Sequence, residues 1–106
     1  MAVFSSVATA DEVKIAALGD SLTQGFGLVA EDGLVPQLQA WLDANGLPDV
    51  ELVNAGVSGD TTAGGLARIG WTLDPDTDAL IVALGANDML RGIDPGVSRA
   101  NLAGIL

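Results

Sequence analysis

Ser21, in Gly19-Asp20-Ser21-Leu22, follows directly on the apolar run Val13 to Leu18, so a hydroxyl is set where an extended segment ends. A serine there can act as a nucleophile if a base takes its proton and donors stabilise the charge that develops on the attacked carbonyl. Two further turns are placed to supply such donors. Ser58-Gly59-Asp60 follows the run Val50 to Asn54, and Gly85-Ala86-Asn87-Asp88 follows Ala79 to Leu84. The N–H of Ser21, the N–H of Gly59 and the side-chain amide of Asn87 can together form an oxyanion hole. Glycine permits close backbone approach, and asparagine offers an uncharged N–H pair. One such donor contributes about 3–4 kcal/mol to the transition state. The competing assignment for Ser21 is a cap of the following helix or turn, which an isolated Gly-Asp-Ser fits better than it fits a nucleophile.

The same three turns carry Asp20, Asp60 and Asp88, and three carboxylates at adjacent strand ends could instead hold Mg²⁺, as in a receiver-like phosphotransfer module. Against this, no lysine lies in these turns to pair with a phosphate, and aspartate is common in turns because it bonds its own backbone. The 106 residues include no cysteine and no histidine. Disulfides, thiolate sites and the usual zinc or iron ligand sets are thereby excluded, and no imidazole is present to activate Ser21. The net charge of -10, from 14 acidic and 4 basic residues, argues against nucleic acid and anionic membrane surfaces.

The elements that must position these residues follow from periodicity. Val13 to Leu18 reads as a largely buried strand closed by Gly19. Leu34, Val35, Leu38, Trp41 and Leu42 recur at helical spacing, with Asp32 as the expected N-cap and Asn45-Gly46, then Pro48, as the stop. Val50 to Asn54 is a second strand. Thr61 or Thr62 caps a segment running to Leu73, in which Gly64, Gly65 and Gly70 each cost about 1 kcal/mol of helix propensity. Asp74-Pro75-Asp76-Thr77-Asp78 is a polar turn, and the continuous apolar run Ala79 to Leu84 reads as a strand covered on both faces. Asp94 and Pro95 read as N-cap and N1 of another helix. Trp41 and Trp71, at apolar helical positions, are expected in the core, while Arg68 and Arg91 are assigned no role.

Strands alternating with helices predict right-handed crossovers and a parallel sheet of the α/β class. In the flavodoxin-like order 2-1-3, all three turns lie beyond the carboxyl ends of the strands, where such folds bind ligands. With strands about 4.8 Å apart, Ser21, Gly59 and Asn87 are expected within roughly 10 Å of one another. The Ala79 to Leu84 strand has an interior strand's composition yet no following strand to pair with, and the helix from Pro95 carries no C-capping signal. Both features predict an incomplete domain. The segment 1–12 is leader-like. Ala8-Thr9-Ala10 has the small-x-small form of a cleavage site without a basic stretch before it, which points to a periplasmic or secreted location or to an ordinary N-terminus.

The three turns, in this order, resemble the first three sequence blocks of the SGNH hydrolases, also called the GDSL esterase/lipase family. Gly19-Asp20-Ser21-Leu22-Thr23-Gln24-Gly25-Phe26-Gly27-Leu28 resembles the nucleophile block, and Asn54 to Thr62 with Gly65-Leu66-Ala67-Arg68 the glycine block. Gly85-Ala86-Asn87-Asp88, followed by Leu90-Arg91-Gly92, resembles the asparagine block of the thioesterase I, lysophospholipase and arylesterase branch. Thr23 stands where an α/β-hydrolase elbow needs its second glycine. The resemblance spans residues 13–106 and implies the N-terminal part of a three-layer α/β/α esterase domain. It implies Ser21 as nucleophile and Ser21, Gly59 and Asn87 as oxyanion hole, acting on carboxylic esters or thioesters without a cofactor. The family's fourth block, Asp-x-x-His, is missing, so the base and its orienting acid are expected from a second polypeptide fragment, and this chain alone is expected to be inactive. A non-catalytic binding module on the same scaffold is the alternative.

Overall fold

The structure is a computed structural model that describes residues 12–106; the leader-like stretch before Glu12 lies outside them. Three parallel strands, β1 (Val13–Gly19), β2 (Val50–Gly56) and β3 (Ala79–Ala83), form one sheet in the order β2-β1-β3. The helices are α1 (Ser21–Gln24), α2 (Leu34–Ala44), α3 (Thr62–Thr72), α4 (Ala86–Leu90) and α5 (Pro95–Ile105). This is the α/β fold with the strand order that the sequence predicts.

The register aligns Leu18 with Ala55 and Val82, and Ala17 with Asn54 and Ile81. Paired residues of a parallel sheet share a face, so Ala16 and Leu18 of the central strand point to one side and Ala17 to the other. All three are buried. On the Leu18 side α3 and α5 pack together. A Cβ on Gly65 of α3 would stand 2.5 Å from Leu84 Cδ1 and 3.4 Å from Ile105 Cδ1, so the glycine that weakens the isolated helix is what lets α3 approach the sheet. On the other side α2 lies over β2 and buries Val35.

That placement corrects the expectation that β3 is covered on both faces. Its burial alternates, with Leu80 and Val82 half-buried against the α3 and α5 layer, while Ile81 is 44% exposed because α2 does not extend over β3. The strand ends at Ala83. Trp41 and Trp71, expected in the core, are 58% and 78% exposed. The positions that α2 and α3 bury are Val35 and the pair Thr62 and Gly65, and both indoles are turned away from them.

The start of α2 also differs. Asp32 belongs to a separate 3₁₀ turn, Ala30–Asp32, and the residue before the helix is Gly33, which makes no side-chain cap. The turn closes on itself through Asp32 N–H to Val29 O and Gly33 N–H to Ala30 O, so the chain re-enters helix only at Leu34. The other end follows the prediction. Gly46 takes φ +81° and Leu47 N–H returns to Leu42 O, the six-to-one bond of a glycine-terminated helix. Thr61 Oγ1 caps α3 at Gly64 N, and Asp94 caps α5 at Gly96 N with Pro95 at the first turn. The acidic turn before β3 folds back on Lys14, whose Nζ lies 2.9 Å from Asp74 and 3.4 Å from Asp76.

Candidate active site

Ser21 opens α1 at the carboxyl end of β1, half-buried, with Asp20 as the N-cap accepting from Leu22 N at 3.0 Å. Its hydroxyl takes part in none of the hydrogen bonds formed among the described residues, and its N–H is one of the first-turn donors that a helix leaves without an internal partner. The short helix sits this low on the sheet because of Gly56, where any Cβ would strike the backbone of Thr23 and Gln24.

The glycine turn is closed by Asp60 N–H to Val57 O at 3.1 Å, with Gly59 at φ +80°. That is the conformation a type II turn demands at its third position, and a side chain there would be strained. Val57 N–H also donates to Gly19 O, which ties this turn to the end of β1. Arg68 adds a second tie. Its Nε lies 2.8 Å from Asp60 Oδ2 and its Nη2 donates to Gly19 O at 3.1 Å.

The asparagine turn is attached to the glycine turn at two points and to the start of α3 at a third. Asn87 Nδ2 donates to Asp60 O at 2.9 Å, which leaves its second hydrogen available. Arg91 Nη2 donates to Gly59 O, also at 2.9 Å. Asp88, 2% exposed, accepts from Thr62 N at 2.8 Å, from Thr62 Oγ1 at 2.5 Å and from Ser98 Oγ at 2.6 Å. Asn101 Nδ2 completes the cluster on Thr62 Oγ1. Burial pushes the Asp88 carboxyl up, but the bonds from Ser98 and Thr62 outweigh it and hold the group below its ordinary value.

The sheet thus brings the three predicted turns to one rim, and direct bonds join the turn of Ser21 to that of Gly59 and the turn of Gly59 to Asn87. The carboxylates that could have gathered round Mg²⁺ each have a separate partner: Leu22 N for Asp20, Arg68 for Asp60, and Thr62 with Ser98 for Asp88. Among the described residues no three acidic side chains converge as metal ligands. Arg68, Arg91, Ser98 and Asn101 are the residues that sequence reasoning did not assign. The two arginines reach carbonyls 49 and 32 positions away in the chain, which no local periodicity reveals.

A parallel sheet in the order β2-β1-β3, flanked by helices and carrying a serine where its central strand ends, defines the class, an α/β fold of the flavodoxin-like type. Residues 17–106 match the GDSL-like Lipase/Acylhydrolase family, and the chain belongs to that family. It is 46% identical over 87 residues to the esterase TesA of Pseudomonas aeruginosa, covering 81% of this chain and 43% of TesA. It is 41% identical over 99 residues to an arylesterase of Vibrio mimicus, covering 92% of this chain and 49% of that protein. The crystal structure of AlinE4, an SGNH-hydrolase family esterase, superposes with a TM-score of 0.81 at 45% identity, over 90% of this chain and 51% of the other. The chain spans about half the length of the relatives it matches.

Proposed function

We propose that this chain supplies the nucleophile and oxyanion hole of a serine esterase that hydrolyses carboxylic esters or thioesters. The observation that carries this reading is the mutual attachment of the three turns at one rim, with the Ser21 hydroxyl unbonded among the described residues. In the proposed reaction Ser21 Oγ attacks the carbonyl carbon while a base takes the hydroxyl proton. The oxyanion accepts hydrogen bonds from Ser21 N–H, Gly59 N–H and the free Asn87 Nδ2 hydrogen. Collapse of the tetrahedral adduct breaks the bond to the alcohol or thiol, which leaves with the proton from the base. Water then attacks the acyl-Ser21 ester by the same route and releases the carboxylic acid.

The base is not in this sequence, which has no histidine. We assign it, with its orienting acid, to an Asp-x-x-His segment on a further piece of polypeptide that completes the domain begun at residues 13–106. Without that piece Ser21 Oγ keeps its proton near neutral pH and the 106-residue chain does not turn over substrate. Names of relatives such as arylesterase and thioesterase 1/protease 1/lysophospholipase L1 support ester and thioester substrates. The Ala8-Thr9-Ala10 sequence supports export as the origin of the N-terminal segment. Among the described residues no helix is long and apolar enough to cross a membrane.

Activity-based labelling tests the assignment. A fluorophosphonate probe applied to the full gene product should give one adduct that maps to Ser21 and disappears in Ser21→Ala. Labelling that survives the substitution would remove Ser21 from the reaction.

A further inference from the structure

The two turns that carry the proposed donors of Gly59 and Asn87 are held together by one side chain from the first turn of α4 and another from its C-cap residue, Arg91. Asn87 and Arg91 stand four residues apart, one helical turn, and therefore project side by side. They grip consecutive carbonyls of the glycine turn: Arg91 Nη2 takes Gly59 O and Asn87 Nδ2 takes Asp60 O, both at 2.9 Å. The backbone N–H of Arg91 closes the same helical turn on Asn87 O at 3.0 Å.

Arg91 is exposed and forms no ion pair among the described residues, although the protein carries 14 carboxylates. Its guanidinium is directed instead to a neutral carbonyl, on the one residue of the glycine turn at positive φ. That residue has no side chain to anchor it, and a Cβ built there would meet Arg91 Nη2 at 3.7 Å and no other group. The tether thus acts at the freest point of the turn. It holds the Gly59–Asp60 peptide, which is separated from the peptide bearing the Gly59 N–H only by the φ and ψ rotations of Gly59, and so restricts how that turn moves.

We propose that Arg91 is a positioning residue of the oxyanion hole, holding the Gly59 turn at a fixed spacing from the Asn87 amide. This rests on the esterase reading and deepens it. Loss of Asn87 would delete a donor, whereas loss of Arg91 leaves every donor in place and loosens their common frame. The competing role for an exposed arginine at this rim is a ligand for an anionic substrate. The two differ in what they do to kcat and KM, because a positioning residue acts in the transition state with any ester, and a substrate ligand acts on binding and only where the substrate carries the charge.

The test uses the full gene product with Arg91→Ala and Arg91→Lys, a neutral nitrophenyl ester and its carboxylate-bearing counterpart, and the Gly59 amide resonance by NMR. Arg91→Ala should lower kcat about tenfold on both esters with KM within about twofold, and should shift the Gly59 amide. Arg91→Lys should recover part of kcat, since an ammonium can donate to the same carbonyl. A rise in KM confined to the carboxylate-bearing ester would make Arg91 a substrate ligand, and an unchanged kcat would make it a surface residue; either overturns the proposal. Because the Gly59 resonance reports the tether without turnover, a folded Arg91→Ala protein with that resonance unmoved also overturns it. Hydrolysis that persists in Ser21→Ala would instead mark failure of the esterase reading.

Discussion

Arg68 Nε lies 2.8 Å from Asp60 Oδ2, with both side chains nearly nine-tenths buried, and the same guanidinium reaches Gly19 O. The pair therefore ties the end of β1, next to Ser21, to the turn that carries Gly59. Removing one member of such a pair strands the other charge where water reaches it poorly, which costs roughly 3–5 kcal/mol. Arg68→Met is expected to lower the urea unfolding free energy by about that much, and Asp60→Asn by less, because Arg68 then still has the Gly19 carbonyl. Unfolding curves within 1 kcal/mol of the parent for Arg68→Met, to the order of the same principle, would show that the tie is not structural.

Asn87→Ala should reduce kcat by about 10² to 10³ with little change in KM, the loss expected for one preorganised donor. The bond from Asn87 Nδ2 to Asp60 O adds a second effect, a stability loss of about 1 kcal/mol. Parallel kinetics and thermal unfolding separate the two. A kcat that falls no further than the stability loss accounts for would reduce Asn87 to a turn residue.

Asp88 gives the fold a pH dependence of definite sign. Its carboxyl is held below the ordinary value of 3.8 by Ser98 and Thr62 despite burial, so the folded state favours the charged form. Its contribution is complete above that value and is lost as pH falls through the lower, folded value. The stability difference between the parent and Asp88→Asn should stay constant from neutral pH down to about pH 5, and shrink only below 3.8. A difference that already narrows near pH 6 would contradict the assignment.

How much of this was legible in the sequence depends on the range of the interaction. The strand segments, the caps at Thr61 and Asp94 and the stop at Gly46 depend on residues a few positions apart, and local rules reach them, while the strand order follows from the fold-level rule for alternating strands and helices. The N-cap expected at Asp32 was displaced because Ala30–Asp32 closes a turn of its own. The exposure of Trp41, Trp71 and Ile81 could not be read from periodicity, which marks an apolar stripe and not what covers it. In the candidate site, Ser21, Gly59 and Asn87 are visible as turn residues, but their attachment through Arg68, Arg91 and Asp88 spans 26 to 49 positions. Only the folded sheet brings those groups together.

The two edges of the sheet differ, and the difference predicts where the protein associates. On the edge strand β2, the amide of Gln39 donates to Val50 O at 2.7 Å and accepts from Leu52 N at 2.8 Å. These flanking groups are the ones that a neighbouring parallel strand would take, so the side chain plugs that edge. The edge of β3 carries no comparable plug among the described residues, and Ile81 beside it is 44% exposed. An open apolar edge recruits another strand, and charge placed on it blocks pairing. The purified 106-residue chain should therefore self-associate in sedimentation velocity, and Ile81→Lys should reduce that association. Addition of a polypeptide carrying the proposed Asp-x-x-His half should replace it by a one-to-one complex. Gln39→Ala should open the second edge and increase aggregation further. A cooperatively folding monomer, with no second fragment present, would sink the prediction and with it the proposal that another piece of polypeptide completes this domain.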